Sequence, residues 1–313
     1  MSCLYPVDIF LLSKSHRHLD LPTVFHYYKE IPKNMAHLYY ESVRPCQSCI
    51  ECRLRKASYI ATRCVHTASM YKQNSFLTLT YSDENLPSDL SISTDTMQKF
   101  WKKLRKKISP TLIKYYAAGE YGDGDGRRPI NPHYHACVFG YDFPDKVLYK
   151  TTPRGDRLYT SPILSDLWGL GYAVIGDVTF ESAAYVARYT LKKIYGDQAE
   201  AHYSGRLPEK SWSSNGLGKD WFEKFYTDVY PSDEILLHGG RKLAPPPYYD
   251  ALLLKNHPDL HAELLDIRAG RTVVNKNNNS LERFFKNGIP NVRSVSDVVR
   301  RAQLRVGSLD KKR

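Results

Sequence analysis

The stretch from Thr94 to Ser109, TDTMQKFWKKLRKKIS, constrains the fold more than any other part of the chain. It sets Met97, Phe100, Trp101, Leu104 and Ile108 at i, i+3, i+4, i+7 and i+11. Only an α-helix gathers that spacing onto one apolar face. Ser93 or Thr94 can cap its start, and Pro110 follows its end. The opposite face carries Lys102, Lys103, Arg105, Lys106 and Lys107 with no intervening acid, a pattern that serves either as a solvated face or as a contact with a DNA backbone.

Runs of a different character flank this helix. SFLTLTY alternates apolar residues with threonines and ends in the turn-like SDENLPSD, which predicts a strand over 76–81. LIKYYAA predicts a strand over 112–118, and HYHACVF predicts another over 133–139. A further strand over 172–180, broken at Gly176-Asp177, feeds directly into a helix over 182–195, and a helical run precedes all of these between Ala57 and Tyr71. The order β, α, β, β, β, α fits an α+β domain, with an antiparallel sheet carrying helices on one face. Residues 144–162, with three prolines, read as a polar connection. Three consecutive prolines at 245–247 end any regular element before them, and 257–266 reads as a short helix.

His133 and His135 stand two apart in a strand, so both side chains leave the same face about 7 Å apart, within reach of one ion. Glu120, at the end of the preceding strand, can add a carboxylate. Imidazole with a hard oxygen ligand suits Mg2+ or Mn2+ and leaves positions open for a phosphate and water. Downstream, Tyr185 and Tyr189 are four residues apart and share a helix face, with Lys192 and Lys193 beyond them to supply positive charge. Phenols beside cations suggest phosphate chemistry, although a tyrosine pair at helical spacing also serves packing.

Cys46, Cys49 and Cys52 form a C-x2-C-x2-C array, and Cys64 or His66 could complete a zinc tetrahedron; reduced thiols are the alternative. Arg53, Arg55 and Lys56 beside the array suit phosphate contacts. A formal net charge of +12 points to an acidic partner, nucleic acid before membrane. No run approaches the roughly 20 apolar residues of a spanning helix. No basic residue precedes the short apolar stretch 9–12, so the N-terminus does not read as a signal peptide, and the clustered cysteines fit a reducing cytoplasm. GDGDGRR at 122–128 lacks the phosphate-loop pattern, and Gly218-Lys219 is followed by Asp220 where such a loop needs Ser or Thr. His16 and His18 sit in a polar run, the tail from Val299 is basic, and no repeat or helicase motif is visible.

FLTLTY, GEYG, NPHYHACVFG and YVARYTLKK stand in the order found in rolling-circle initiators of the HUH endonuclease superfamily. Together with PCQSCIECRLRKASYIATRCVH, NGLGKDWFEKF and PPPYYD, they resemble the replication initiation proteins of gokushovirus-type microviruses. The resemblance spans about residues 45–255, departs in having Tyr134 between the histidines, and marks Glu120 less sharply than the histidines. It implies a nickase core over 73–200, a Cys-rich N-terminal segment over 1–72 and an extension over 201–313. It further implies metal-dependent nicking of phage origin DNA, single-stranded or supercoiled, with Tyr185 and Tyr189 as alternating nucleophiles and Lys192 or Lys193 assisting. A host helicase and the host replication machinery would be the partners, in the bacterial cytoplasm and away from any membrane. The competing readings are a non-enzymatic zinc-containing DNA-binding or regulatory protein, and a relaxase or transposase of the same superfamily.

Overall fold

In a computed structural model of the chain, the structure describes residues 7–12, 19–22, 24–25, 28–47, 49–122, 130–194, 198–230, 232–237, 240–277, 285–286 and 289–290. His16, His18, most of the glycine-rich loop at 122–128 and the basic tail lie outside the described residues. The chain divides into two compact units, Met1–Lys56 with Thr272–Arg313, and Ala57–Arg271.

The smaller unit holds a three-stranded antiparallel sheet in the order β2-β1-β3, made by β1 (Val7–Leu12), β2 (Val24–Phe25) and β3 (Tyr39–Arg44). The sequence shows no clean periodicity here, because the outer strands are short and pair with β1 across long separations in the chain. Helix α1 (Ile50–Ser69) begins in this unit and runs on into the larger one.

The larger unit is built on a seven-stranded sheet. Along the chain come β4 (Asn74–Tyr81), α2 (Thr94–Ile108), β5 (Lys114–Glu120), β6 (His133–Phe139), β7 (Val147–Thr151), β8 (Arg157–Thr160), α3 (Pro162–Trp168), β9 (Gly171–Gly176), α4 (Phe180–Lys192), α5 (Gln198–Tyr203) and β10 (Lys210–Ser213). The sheet order is β10-β5-β6-β4-β9-β8-β7, and every pairing is antiparallel. Helix α2 forms where the apolar spacing places it: the Ser93 hydroxyl accepts from the Thr96 amide, and Met97, Phe100, Trp101, Leu104 and Ile108 are all buried.

Alternation along the strands divides their side chains between two faces. Leu77, Leu79, Tyr81, Tyr134, Ala136, Val138, Ala173 and Ile175 project to one side and pack against α2 and against Leu164 and Trp168 of α3. Tyr116, Ala118, Cys137 and Phe139 project to the other and pack against Ala57, Ala61 and Cys64 of α1 and Ala183, Val186 and Ala187 of α4. Helices therefore cover both faces, which corrects the one-sided arrangement expected from element order. The helical run at 57–71 is the reason, since its i, i+4, i+7 residues Ala57, Ala61 and Cys64 give it a sheet-facing stripe of its own.

Three further strands fall where the sequence predicts none. β7 and β8 form a hairpin in the polar connection, and β7 is exposed along its whole length, so it carries no buried alternation to read. β10 is four residues long and exists by pairing with β5, from Ser213 opposite Tyr116 to Lys210 opposite Gly119. After β10 come α6 (Lys219–Val229), the two-stranded β11 (Ile235–Leu237) and β12 (Arg241–Leu243), α7 (Pro247–Asn256) and α8 (Pro258–Asn277). The last proline of the triplet opens α7 at its first turn, where a missing amide costs no intrahelical bond. Phe222, Val229, Tyr230, Ile235, Tyr249, Leu252, Leu253 and Leu264 form the core of this part.

Candidate active site

Strand register builds the site. Glu120 lies opposite His133 across the β5–β6 pair, and His135 lies opposite Thr78 across the β4–β6 pair. All four side chains project to the face that carries α4, because directly paired residues of antiparallel strands share a side. His133 Nε2 is 2.8 Å from Glu120 Oε1, and His135 Nε2 is 3.3 Å from the same oxygen. One donor atom from each residue lies within 4.8 Å of the others. Glu120 is almost wholly buried. Burial acts to raise its carboxyl, and hydrogen bonds and positive charge from His133 and His135 outweigh that, holding it well below the usual carboxylate range.

The outer contacts of the imidazoles say what the centre can hold. The Asn131 carbonyl, 2.9 Å from His133 Nδ1, can only accept, so Nδ1 carries the proton. In the neutral ring Nε2 then offers a lone pair, and it faces a carboxylate oxygen at 2.8 Å. Two lone pairs that close need a proton or a cation between them. Thr78 Oγ1, 3.1 Å from His135 Nδ1, turns Nε2 of that ring toward the same carboxylate. Ring nitrogens anchored from behind and a buried carboxylate in front match the way metal-binding histidines are oriented. The two imidazole nitrogens and one carboxylate oxygen fit a divalent cation such as Mg2+ or Mn2+.

Helix α4 brings the tyrosine stretch to this centre. Thr179 caps it through a reciprocal box, its hydroxyl accepting from the Ser182 amide while the Ser182 hydroxyl accepts from the Thr179 amide. Ala183 and Ala187, four apart and buried, let the helix settle close on β5 and β6. Tyr185 then sets its ring edge against His135, with ring centroids 5.0 Å apart and planes at 80°. Arg188, three residues on, holds its guanidinium 5.9 Å from the Tyr185 ring centre. Tyr189 and Lys192 belong to α4, but their side chains lie outside the described residues; Lys193 is the half-buried C-cap.

Thr78, Asn131 and Arg188 are participants that sequence reasoning missed. Arg188 had a signal available, since a cation three residues after a tyrosine shares its helix face. Thr78 and Asn131 had none, because their roles depend on strand register and on a backbone carbonyl.

The other sequence-predicted residues lie elsewhere. Lys102, Lys103, Arg105, Lys106 and Lys107 are exposed on α2, on the opposite side of the sheet from Glu120 and the histidines. In the smaller unit, Cys46, Cys49 and Cys52 bring their sulfurs within 4.8 Å of one another, and the Cys49 amide donates to Cys46 Sγ at 3.3 Å. Three converging thiols suit a soft or borderline ion such as zinc. Arg55 Nη2 is 3.5 Å from Cys52 Sγ, and Arg53 is half-buried on the same turn. The structure does not bring Cys64 to this group: it sits in the core of the larger unit beside the α4 alanines, where burial pushes its thiol up to about 12. His66 is also committed there, bonded to the Tyr249 hydroxyl at 2.9 Å and stacked on Trp221.

Relatives of known kind share this chain's sequence across most of its length. It is 35% identical over 238 residues, 74% of this chain and 72% of the relative, to replication-associated protein VP4 of Bdellovibrio phage phiMH2K. It is 31% identical over 274 residues, 83% of this chain and 82% of the relative, to replication-associated protein ORF2 of Spiroplasma virus 4. The chain belongs to the replication-associated proteins of microvirus-type phages. A third relative, replication-associated protein ORF4 of Chlamydia phage 1, is 32% identical over 221 residues, 67% of this chain and 53% of its own length. The family profile for replication-associated proteins of the ORF2 type matches residues 74–194, which run from the start of β4 to just past α4. The matched part of this replication-associated protein thus contains the triad, Thr78, Tyr185 and Arg188. No solved structure matches the chain. Among the described residues no helix is long and apolar enough to cross a membrane.

Proposed function

We propose that this phage replication-associated protein is a metal-dependent HUH endonuclease, which nicks one strand of the phage origin through a 5′-phosphotyrosine link and later transfers and closes the strand. The observation that carries the reading is the approach of Tyr185 to a triad of two imidazoles and one carboxylate, ring to ring at 5.0 Å from His135.

A divalent ion, Mg2+ or Mn2+, held by Glu120, His133 and His135 would supply Lewis-acid polarisation of the scissile phosphate. The chain's own residues do the rest. Asn131 and Thr78 hold the imidazoles in the tautomer that presents Nε2 inward. A phenol with an ordinary value of about 10 is a weak nucleophile at neutral pH. Arg188, with Lys192 or Lys193 beyond it, favours the phenolate by placing positive charge near α4. The phenolate oxygen attacks phosphorus, the bond from phosphorus to the 3′ oxygen breaks, and that oxygen leaves as a 3′-OH after taking up a proton. The 5′ phosphate stays on tyrosine, so the phosphodiester's energy is kept and no ATP is required. After one round the other of Tyr185 and Tyr189 cuts the regenerated origin, and the freed 3′-OH attacks the first phosphotyrosyl bond to close a circle. The cations of α2, with Arg53 and Arg55 at the cysteine array, contact DNA backbone outside the cleft, and a structural zinc on Cys46, Cys49 and Cys52 stiffens that array. Unwinding of the supercoiled origin falls to a host helicase in the bacterial cytoplasm.

The test is to incubate the purified protein with single-stranded origin oligonucleotides and Mn2+, then separate denatured products by size. A covalent protein–DNA adduct that disappears on chelation is expected. An adduct-free reaction with every origin segment would overturn the reading.

A further inference from the structure

The catalytic face continues past His133 into a strip that the proposed reaction leaves unused. Read across the sheet, Glu120 lies opposite His133, His133 opposite Thr80, and Thr80 opposite Tyr172. Paired positions share a side, so Tyr172 stands on the triad's face. Its strand is two strands from that of His133, about 10 Å away at the usual spacing. Helix α4 packs on β5, β6 and β10, on the far side of His133 from β9.

Tyr172 is 71% exposed, although its strand has partners on both edges, β4 and β8. An aromatic ring in the middle of a sheet is ordinarily covered. It cannot turn into the opposite core, because Ala173 and Ile175 take those positions by alternation. Its backbone is fixed from below. Gly171 has φ +146°, and a Cβ there would run into the Ser82 amide and the Thr80 carbonyl, so only glycine allows β9 to start this close to β4. The Ser82 amide donates to the Leu170 carbonyl at 2.9 Å and Trp168 Nε1 donates to the Thr80 carbonyl at 3.0 Å, which clamp the same junction. The strip beyond is floored by half-buried Val174 and by Leu158, whose Cδ2 would lie 3.6 Å from a Cβ at Gly176.

We propose that Tyr172 is a stacking platform for a base of the single-stranded DNA that crosses the triad. The inference rests on the nickase reading for which phosphate lies at the triad, and it adds where the neighbouring base goes. A flat ring held rigidly beside a phosphate site suits a single strand, whose bases are unpaired and each offer a π-face. A duplex offers no such face, since its bases are stacked on one another. Stacking of this kind accepts any base, so Tyr172 contributes affinity and alignment and not origin sequence.

The experiment measures binding of a short fluorescein-labelled oligodeoxythymidine by anisotropy, without divalent metal, to the wild-type protein, Tyr172→Ala and Tyr172→Phe. Removing the ring with alanine weakens the affinity by roughly fivefold or more, whereas phenylalanine keeps it within about twofold. A blunt duplex of the same length should bind Tyr172→Ala as it binds the wild type, as should the single strand with Leu148→Ala, an exposed residue of β7. In Mn2+, adduct formation by Tyr172→Ala should need more oligonucleotide for half its maximal rate and reach the same maximum. Wild-type affinity in Tyr172→Ala, or an equal loss in Tyr172→Phe, overturns the proposal. An absent adduct in all three proteins with the binding difference intact would overturn the nickase reading and leave the stacking site standing.

Discussion

The two faces of the central sheet share the same strands and differ in almost everything else. One is sealed by α2 and α3 and filled by Leu77, Leu79, Tyr134, Phe100, Trp101, Leu104 and Trp168, all nearly without exposure. The other carries Glu120, His133, His135 and Thr78 in its middle rows, alanine-rich helix contacts at one end and the bare ring of Tyr172 at the other. A sheet can hold a buried carboxylate and two imidazoles only if stability comes from elsewhere, since burying polar groups costs free energy unless each is bonded. Here the sealed face supplies it. The contrast teaches that function in this protein was placed on the side of the sheet where small residues leave room, while the large aromatic residues fill the side that has no chemistry to do.

The sharpest way to break this division is on the chemical face. Tyr185→Phe combined with Tyr189→Phe should abolish the covalent adduct with origin DNA, and Glu120→Ala or His133→Ala should reduce it to the metal-free background, while thermal unfolding still shows one folded protein. A doubly substituted protein that forms adduct at normal yield would end the assignment of the tyrosines. On the sealed face, Phe100→Ala should cost about 3–5 kcal/mol of stability in urea unfolding and leave the adduct yield per folded molecule unchanged. A drop in yield with stability unchanged would show that the faces are not separable.

Smaller effects refine the boundary. Thr78→Val keeps the shape of the strand but removes the hydroxyl behind His135, and should weaken Mn2+ affinity by about 10- to 100-fold, read by titrating metal against nicking rate. The smallest change is expected at the outer surface of α2, where Lys102→Gln with Lys106→Gln should shift stability by less than about 0.5 kcal/mol. That pair should also lower the slope of log affinity for duplex DNA against log salt by up to about 2, because each phosphate left without its lysine takes about 0.9 from the slope. An unchanged slope would make these lysines a solvated face and nothing more.

Much of this was legible in the chain. The α2 stripe, the strands at 76–81 and 133–139 and the strand feeding the tyrosine helix form where periodicity places them, within a few residues at their ends. The two-residue spacing of His133 and His135 put both on one face before any partner was known. What was not legible came from pairings between distant segments. The β7–β8 hairpin and β10 lack inward-facing apolar residues of their own, so only the neighbouring strand defines them. Cys64 read as a ligand because it is a cysteine near other cysteines, yet its place in the α1 stripe with Ala57 and Ala61 commits it to the core.

The sequence by itself determined the element types, the residue classes of the site and the family to which the chain belongs. Tertiary structure alone decided which residues meet. Register across β4, β5, β6 and β9 turned Glu120 from a strand end into the carboxylate between two imidazoles, brought Thr78 behind His135, and left Tyr172 bare in the same row. The physical reason is that alternation within a strand fixes which side a residue faces, but only hydrogen bonding between strands fixes what stands beside it.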